Sequence, residues 1–305
     1  MLPAFLTTLL FSISGVTAKR STQYLPSVDA NFWRLSLATL FLGLYAHTLG
    51  FGIGGPALPW FVVSGFIGFG IGDLALYQAY PRLGSRLVVL VVHCVAAPLA
   101  AATEWIWLGV PMTGREALAG ALILGGVATA LFPDRKADAT PKAGFLAGIG
   151  FALVAAAGQG WGAVLSRRAF AITREAGLSI DGLSAAYQRI LSGMALAAIT
   201  FFLAKRFRRP PAKPEDATSE VRAGGLRRAA PWVLVNAIAG PALGVGCFQW
   251  ALASRGTGVV LPIVALTPLT IIPFSMWFEK ERPTLRSLVG GAIAVAGAVL
   301  HALSH

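Results

Sequence analysis

The stretch Gly246–Leu300, GCFQWALASRGTGVVLPIVALTPLTIIPFSMWFEKERPTLRSLVGGAIAVAGAVL, decides the fold class. It reads as the end of one apolar helix, a short turn at Arg255-Gly256, a second apolar run interrupted by Pro262, Pro268 and Pro273, a charged corner, and a third run rich in Gly and Ala. Apolar runs of about 20 residues, with charge confined to the corners, are what a bilayer core requires of a crossing helix. A weaker copy precedes it. A shift of 172 places Ala79, Gly84-Ser85 and Trp105 on Ala251, Gly256-Thr257 and Trp277. A shift of 171 then places Thr113, Gly120-Ala121 and Gly126 on Thr284, Gly291-Ala292 and Gly297, so one residue is gained or lost at the corner. The chain reads as two related halves.

The composition of the rest agrees. Of 305 residues 56% are hydrophobic and 12% charged, with a mean hydropathy of +0.69, outside the range of water-soluble domains. The 35 Gly and 18 Pro suit membrane helices, which tolerate both and use small residues for close packing. The formal net charge of +12 would suggest nucleic acid in a soluble protein. Here the basic residues fall in the connections, beside anionic lipid, and no nucleic-acid partner is expected. Cys94 and Cys247 lie in apolar runs and read as buried thiols. Leu2–Val16 lacks a basic start and a small-residue exit, so it reads as the first membrane helix and not as a signal peptide.

Helices are expected near 2–18, 32–50, 58–80, 85–108 and 115–132, then 143–165, 183–204, 230–252, 257–278 and 286–304. The fold class is therefore an all-α membrane protein of ten transmembrane helices, arranged as two five-helix repeats over 1–132 and 143–305 with a polar linker at 133–142. A second polar segment, 205–229, reads as a solvated loop by its Pro and charge content. Two further pairs join the repeat: Ala30-Asn31-Phe32-Trp33-Arg34 matches Ala185-Ala186-Tyr187-Gln188-Arg189, and Gly15–Arg20 parallels Gly162–Arg167. Five crossings per half make the second half enter from the opposite side, so the repeats are inverted. Of the 25 Lys and Arg, only Arg115, Arg167, Arg168, Arg174 and Arg255 lie on one side, with Arg34 and Arg189 inside helices. The positive-inside bias then puts both termini outside the cytoplasm.

These features resemble the EamA family of the drug/metabolite transporter superfamily over nearly the whole chain. The most specific pieces are FQWALASRGTGVVLPIVALTPL, the corner Phe278-Glu279-Lys280-Glu281-Arg282-Pro283-Thr284, the Gly290-Gly291-Ala292 to Gly297 helix, and the arginines Arg34 and Arg189. The first-half corner departs, with Gly109-Val110 where the family has a Glu, which leaves Glu281 alone in that role. The resemblance implies a secondary transporter of the cell membrane, bacterial cytoplasmic in type, with a central cavity between inverted repeats, and a cargo drawn from amino acids, metabolites or drugs. It also implies cytoplasmic termini, against the charge count.

An ionisable side chain at mid-bilayer is costly and marks a functional candidate. Asp73 lies well inside the third helix with Tyr77 one turn on, and reads either as a pathway residue or as a structural bond. His93, mid-helix, reads either as a proton site or as a hydrogen-bonded structural residue. Gln159 and Trp161, with Gln249 and Trp250, offer the aromatic and amide groups of an organic-solute cavity, or simply pack. The substrate-binding candidates are thus Asp73, Tyr77, Gln159, Trp161, Gln249 and Trp250, with Asp73 and His93 as proton-coupling candidates. Glu104 reads as interfacial beside Trp105 and Trp107, and Arg34 and Arg189 as helix-start residues that snorkel, bind lipid phosphate or meet an anion. Pro98 in the fourth helix and Pro262, Pro268 and Pro273 in the ninth bend their helices and free carbonyls, which Thr267 and Thr270 either satisfy or present to the cavity.

No G-x-x-x-x-G-K-[ST], H-E-x-x-H, C-x-x-C or G-x-S-x-G occurs, so no ATP motor, catalytic role, metal or cofactor is expected. The expected function is carriage of a small organic solute by alternating access, with the proton as coupling ion, as monomer or homodimer. The mixed lining favours a neutral or zwitterionic solute over a polyanion. The rival reading is a non-transporting membrane protein, a scaffold or a lipid-handling enzyme. A channel is a third.

Overall fold

The computed structural model describes residues 1–109, 113–131, 144–207, 219–280 and 283–303. Among them the secondary structure is helical, with no strand. The helices are α1 (Leu2–Tyr24), α2 (Ser27–Thr48), α3 (Leu58–Gly65), α4 (Asp73–Leu108), α5 (Gly114–Leu131), α6 (Phe145–Glu175), α7 (Gly182–Phe207), α8 (Ser219–Ala237), α9 (Leu243–Ser254), α10 (Thr257–Val264), α11 (Thr267–Glu279) and α12 (Leu285–Ala302). Two π-helical turns, Phe66–Gly72 and Ile238–Ala242, join α3 to α4 and α8 to α9. The linker 133–142 and Glu281 lie outside the described residues.

Local chemistry sets the ends. Pro sits in the first turn of α1, α3 and α11, where its missing N–H is no loss. Asp181 starts α7: its Oδ1 accepts from the amides of Leu183 at 3.0 Å and Ser184 at 2.9 Å. Thr284 Oγ1 does the same for Ser287 N at the start of α12. Inside α4, Gly84 has φ 80 and ψ 166, a conformation suited to glycine, and the helix is two pieces across this break. The expected bend of 257–278 is a full interruption at Ala265–Leu266. There Thr267 Oγ1 donates to the Val264 carbonyl that Pro268 leaves free.

The structure corrects several boundaries, among them the ends of the first and sixth expected helices, since α1 runs on to Tyr24 and α6 to Glu175. α2 starts at Ser27 and not near 32, because Pro26 halts α1 and Ser27-Val28-Asp29 fits a first turn. The 205–229 segment is not wholly a loop: α7 runs to Phe207, and Ser219 onward is helical, built from the helix formers Glu, Arg, Ala and Leu. Six stretches are long and apolar enough to cross a membrane by length and composition: Leu2–Tyr24, Leu58–Trp107, Phe145–Glu175, Gly182–Phe207, Gly225–Ser254 and Thr257–Glu279. The shorter α5 and α12, and α2 with its Asp29, Asn31 and Arg34, fall outside that set.

Two packings organise the bundle. α2 lies antiparallel on α7: Phe32 stacks on Phe201 at one end, centroids 4.1 Å apart, and His47 meets Tyr187 edge-on at 5.3 Å at the other. α5 lies antiparallel on α12. A Cβ on Gly126 would collide with the backbone of Gly290 and Ala294, and one on Gly297 would stand 2.9 Å from the Ala119 carbonyl. Small residues here let backbones touch, as in membrane interfaces generally. Around these pairs α1 packs on α8, α9 and α11, while α6 packs on α3 and α4. The outer surface carries exposed Leu40, Leu44, Ile199, Phe202, Leu203 and Trp277, an apolar girdle suited to lipid.

Candidate functional site

The two arginines expected near helix starts are instead nearly fully buried, Arg34 at 4% and Arg189 at 5% exposure. Each is reached by groups on helices remote in sequence. Arg34 spends all three nitrogens: Nε donates to Asn31 Oδ1 at 3.2 Å, Nη1 to Asn236 Oδ1 at 3.4 Å, and Nη2 pairs with the Asp73 carboxylate. Its guanidinium lies 4.8 Å above the Tyr77 ring, a cation–π contact. Tyr77 Oη donates to the same Asn236 oxygen at 3.0 Å, and Asn236 Nδ2 donates into α1, to the Ser14 carbonyl, Ser14 Oγ and Thr17 Oγ1.

Arg189 is held more loosely. Its Nε donates to Ser64 Oγ at 2.9 Å, and its guanidinium lies 5.3 Å above the Phe69 ring. Ser64 Oγ donates its one proton to the Gly162 carbonyl at 2.7 Å and so accepts from Ser166 Oγ at 2.9 Å. Among the described residues, Arg189 has no ion pair and no hydrogen bond from Nη1 or Nη2.

Glycines in the π turns admit both guanidinium groups. A Cβ on Gly68 would stand 3.0 Å from Arg189 Nη2, and one on Gly240 would press on Ser14 Oγ and lie 3.5 Å from Arg34 Nη1. The wider π turn also places Asp73 directly after Gly72, at the head of α4. Such turns are common where a helix carries function.

Between the arginines lies a cavity of about 80 Å³, lined by Arg34, Asp73 and Arg189 with His93 and Gln159, and walled by Phe11, Phe69, Leu76, Val89, Val92 and Phe248. That is room for roughly six waters or one small solute. His93 stacks flat on Phe11, centroids 5.2 Å apart, and its Nδ1 lies 3.4 Å from Gln159 Nε2. Among the described residues no three His, Cys, Asp or Glu side chains gather as a metal site.

Of the residues singled out in the sequence, the structure brings Asp73, His93 and Gln159 together on this cavity. Tyr77 stands behind Arg34 and supports it without lining the space. Trp161 and Trp250 do not line it: they are 45% and 51% exposed, and Trp250 borders a separate, more open cavity with Tyr45, Asp181 and Cys247. Gln249 is fully buried off the cavity, and neither amide atom has a hydrogen-bond partner among the described residues. Glu104 is not a free interfacial acid: its Oε1 accepts from Arg167 Nη1 at 3.1 Å and Thr257 Oγ1 at 2.6 Å, while Trp105 and Trp107 remain exposed. Sequence reasoning missed Asn236 and Ser64. Their only signal was a shared register, a polar residue 172 apart in otherwise apolar runs.

Comparison with known proteins follows the same lines. Twenty-eight chains of solved structures match, and one of them, from a crystal structure, superposes with a TM-score of 0.63 at 17% identity, over 99% of this chain and 96% of that one, a likeness of fold alone. No curated protein matches the sequence. The model of the EamA-like transporter family matches residues 1–132 and again 146–303. With nearly its whole length matched in two successive copies, this multi-pass membrane protein belongs to the EamA-like transporter family, a family of membrane transporters.

Proposed function

We propose that the protein carries a small organic solute across the cytoplasmic membrane of a bacterial-type cell by alternating access between two inverted five-helix halves, 1–132 and 143–305. The ten crossings are α1, α2, α3 with α4 to the break at Gly84, the rest of α4, α5, α6, α7, α8 with α9, α10 with α11, and α12. One observation carries the reading: the cavity is lined by residues that pair across the repeat. Gly68 and Gly240, Phe69 and Pro241, Asp73 and Val245, and Leu76 and Phe248 share one shift, and Arg34 and Arg189 share another. A site on the boundary of two halves is where rocking one against the other changes access.

The helix packing supports the inversion. Counterparts α2 and α7 pack antiparallel, as do α5 and α12. Their contacts map onto each other when the halves are exchanged: His47 on Tyr187 becomes Phe32 on Phe202, and both ring pairs are present. The π turns fall in one register as well, Phe66 on Ile238. Symmetry breaks at Asp73, whose counterpart is Val245, and that single carboxylate is the proposed proton-handling group, with His93 beside it. Gln159 and the aromatic wall hold the cargo.

The test is counterflow in proteoliposomes loaded with a metabolite panel. A carrier gives saturable uptake that rises with the same solute trapped inside. A scaffold gives none, a channel gives flux without trans-stimulation, and a lipid-handling enzyme gives product in detergent with no compartment. Any of those three results overturns the reading.

A further inference from the structure

We propose that the cavity takes a small monovalent carboxylate, gripped by the terminal nitrogens of Arg189. The inference rests on reading this cavity as the transport site, and it names the cargo. The two arginines differ in what they have left to give. Arg34 uses Nε, Nη1 and Nη2 on Asn31, Asn236 and Asp73. Arg189 uses Nε on Ser64, and among the described residues its Nη1 and Nη2 have no partner, although it lines the cavity and is 95% buried. Asp73 is within electrostatic reach of Arg189 yet paired to Arg34.

Charge then selects the ligand. Among the described residues the lining holds two nearly fully buried guanidinium groups and one carboxylate, an excess of one positive charge. A buried charge without a partner costs several kcal/mol, so a ligand of one negative charge is favoured and one of two overshoots. The planar fork of an arginine fits a carboxylate through two parallel N–H···O bonds. The rest of the ligand meets Phe11, Leu76, Val89 and Phe248, so its skeleton is apolar, with the Gln159 amide for one polar substituent. An amine adds to the excess charge and an amide leaves it unbalanced.

The experiment measures melting of the purified full-length protein in detergent against matched sets of aliphatic and phenyl-bearing acids, their amides and amines, and the dicarboxylates. Monocarboxylates are expected to stabilise saturably, and by about tenfold lower concentration than the matching amide. Asp73→Asn raises the excess to two charges, so preference moves to dicarboxylates by about tenfold or more. Arg189→Gln loses the acid response. If that variant does not fold, the Asp73→Asn shift decides. Equal stabilisation by acid and amide overturns the proposal, as does no response to any acid, an unchanged preference in Asp73→Asn, or a response kept by folded Arg189→Gln. Counterflow of the same panel separates this inference from the transport reading. Flux of amides or amines in place of acids leaves transport standing and ends the carboxylate assignment. Acids that bind but never cross leave the site standing and end transport.

Discussion

Ser64 and Asn236 occupy one register of the repeat, 172 residues apart, and each accepts a hydrogen bond from the buried arginine of the other half. The two joints are unequal. Asn236 serves Arg34 and Tyr77 through one oxygen and ties both to α1 through its amide, so its loss strands several buried groups. Leaving a buried charged donor short of partners costs about 1.5–3 kcal/mol per bond. Asn236→Ala should therefore lose roughly 3 kcal/mol and melt well below the parent. Ser64→Ala, which removes one bond from Arg189, should lose roughly half of that. A larger loss for Ser64→Ala, in thermal melts of the two purified variants, would contradict this account of the site.

Asp73 has a different job from these supports, being the one carboxylate on the cavity among the described residues. In proteoliposomes with an imposed pH gradient, Asp73→Asn should abolish gradient-driven uptake while leaving exchange at equal pH measurable. Arg34 keeps Asn31 and Asn236 in that variant, so the fold should persist. Unchanged flux with unchanged pH dependence removes Asp73 from coupling.

The Glu104–Arg167–Thr257 cluster invites a larger estimate than it merits. Arg167 is 47% exposed, and a pair open to solvent on one side contributes about 0–1 kcal/mol. The Thr257 bond at 2.6 Å adds about 1 kcal/mol. Glu104→Gln should thus cost roughly 1 kcal/mol, and a double-mutant cycle with Arg167→Gln should give a coupling of about 1 kcal/mol or less. A coupling of several kcal/mol would mean that the cluster is far better shielded than its exposure indicates.

The contact of α5 with α12 is a matter of space. Gly126 and Gly290 leave no room for a Cβ on either helix, so Gly290→Leu must push the pair apart, at a cost of about 1–3 kcal/mol. Gly291, with nothing near its Cβ position, is the control on the same helix. Its change to Leu should leave the melting temperature close to that of the parent. Equal effects at the two positions would refute the close approach.

The membrane class and the family were legible from apolar run length, from the register shared by the Gly-rich corners, and from the paired arginines. The cavity itself was legible only in part. Asp73, His93 and Gln159 stood out because polar residues are rare in those runs, but their helices carry no mark of which face turns inward. Trp161 and Trp250 illustrate the difficulty: an indole serves a cavity wall or a lipid-facing surface equally well, and here neither lines the cavity between the arginines. The burial of Arg34 was hidden for a different reason. Its partner Asn236 lies 202 residues away, and no local pattern announces a contact made by folding one half over the other.

Membrane orientation turns on the basic connections. The segment between α7 and α8 holds Arg208, Arg209 and Lys213 outside the described helices, with Lys205 and Arg206 ending α7 and Arg227 and Arg228 in α8. Each Lys or Arg near an anionic cytoplasmic leaflet is worth about 1 kcal/mol, so this cluster alone outweighs the scattered arginines of the opposite side. We therefore expect both termini outside. A single cysteine introduced at Ala212, in a background with Cys94 and Cys247 changed to Ala, should resist a membrane-impermeant maleimide in intact cells and react after permeabilisation. Rapid labelling before permeabilisation would put the segment outside and reverse the topology, and the repeat would be unaffected, since two inverted halves present equivalent faces to either side.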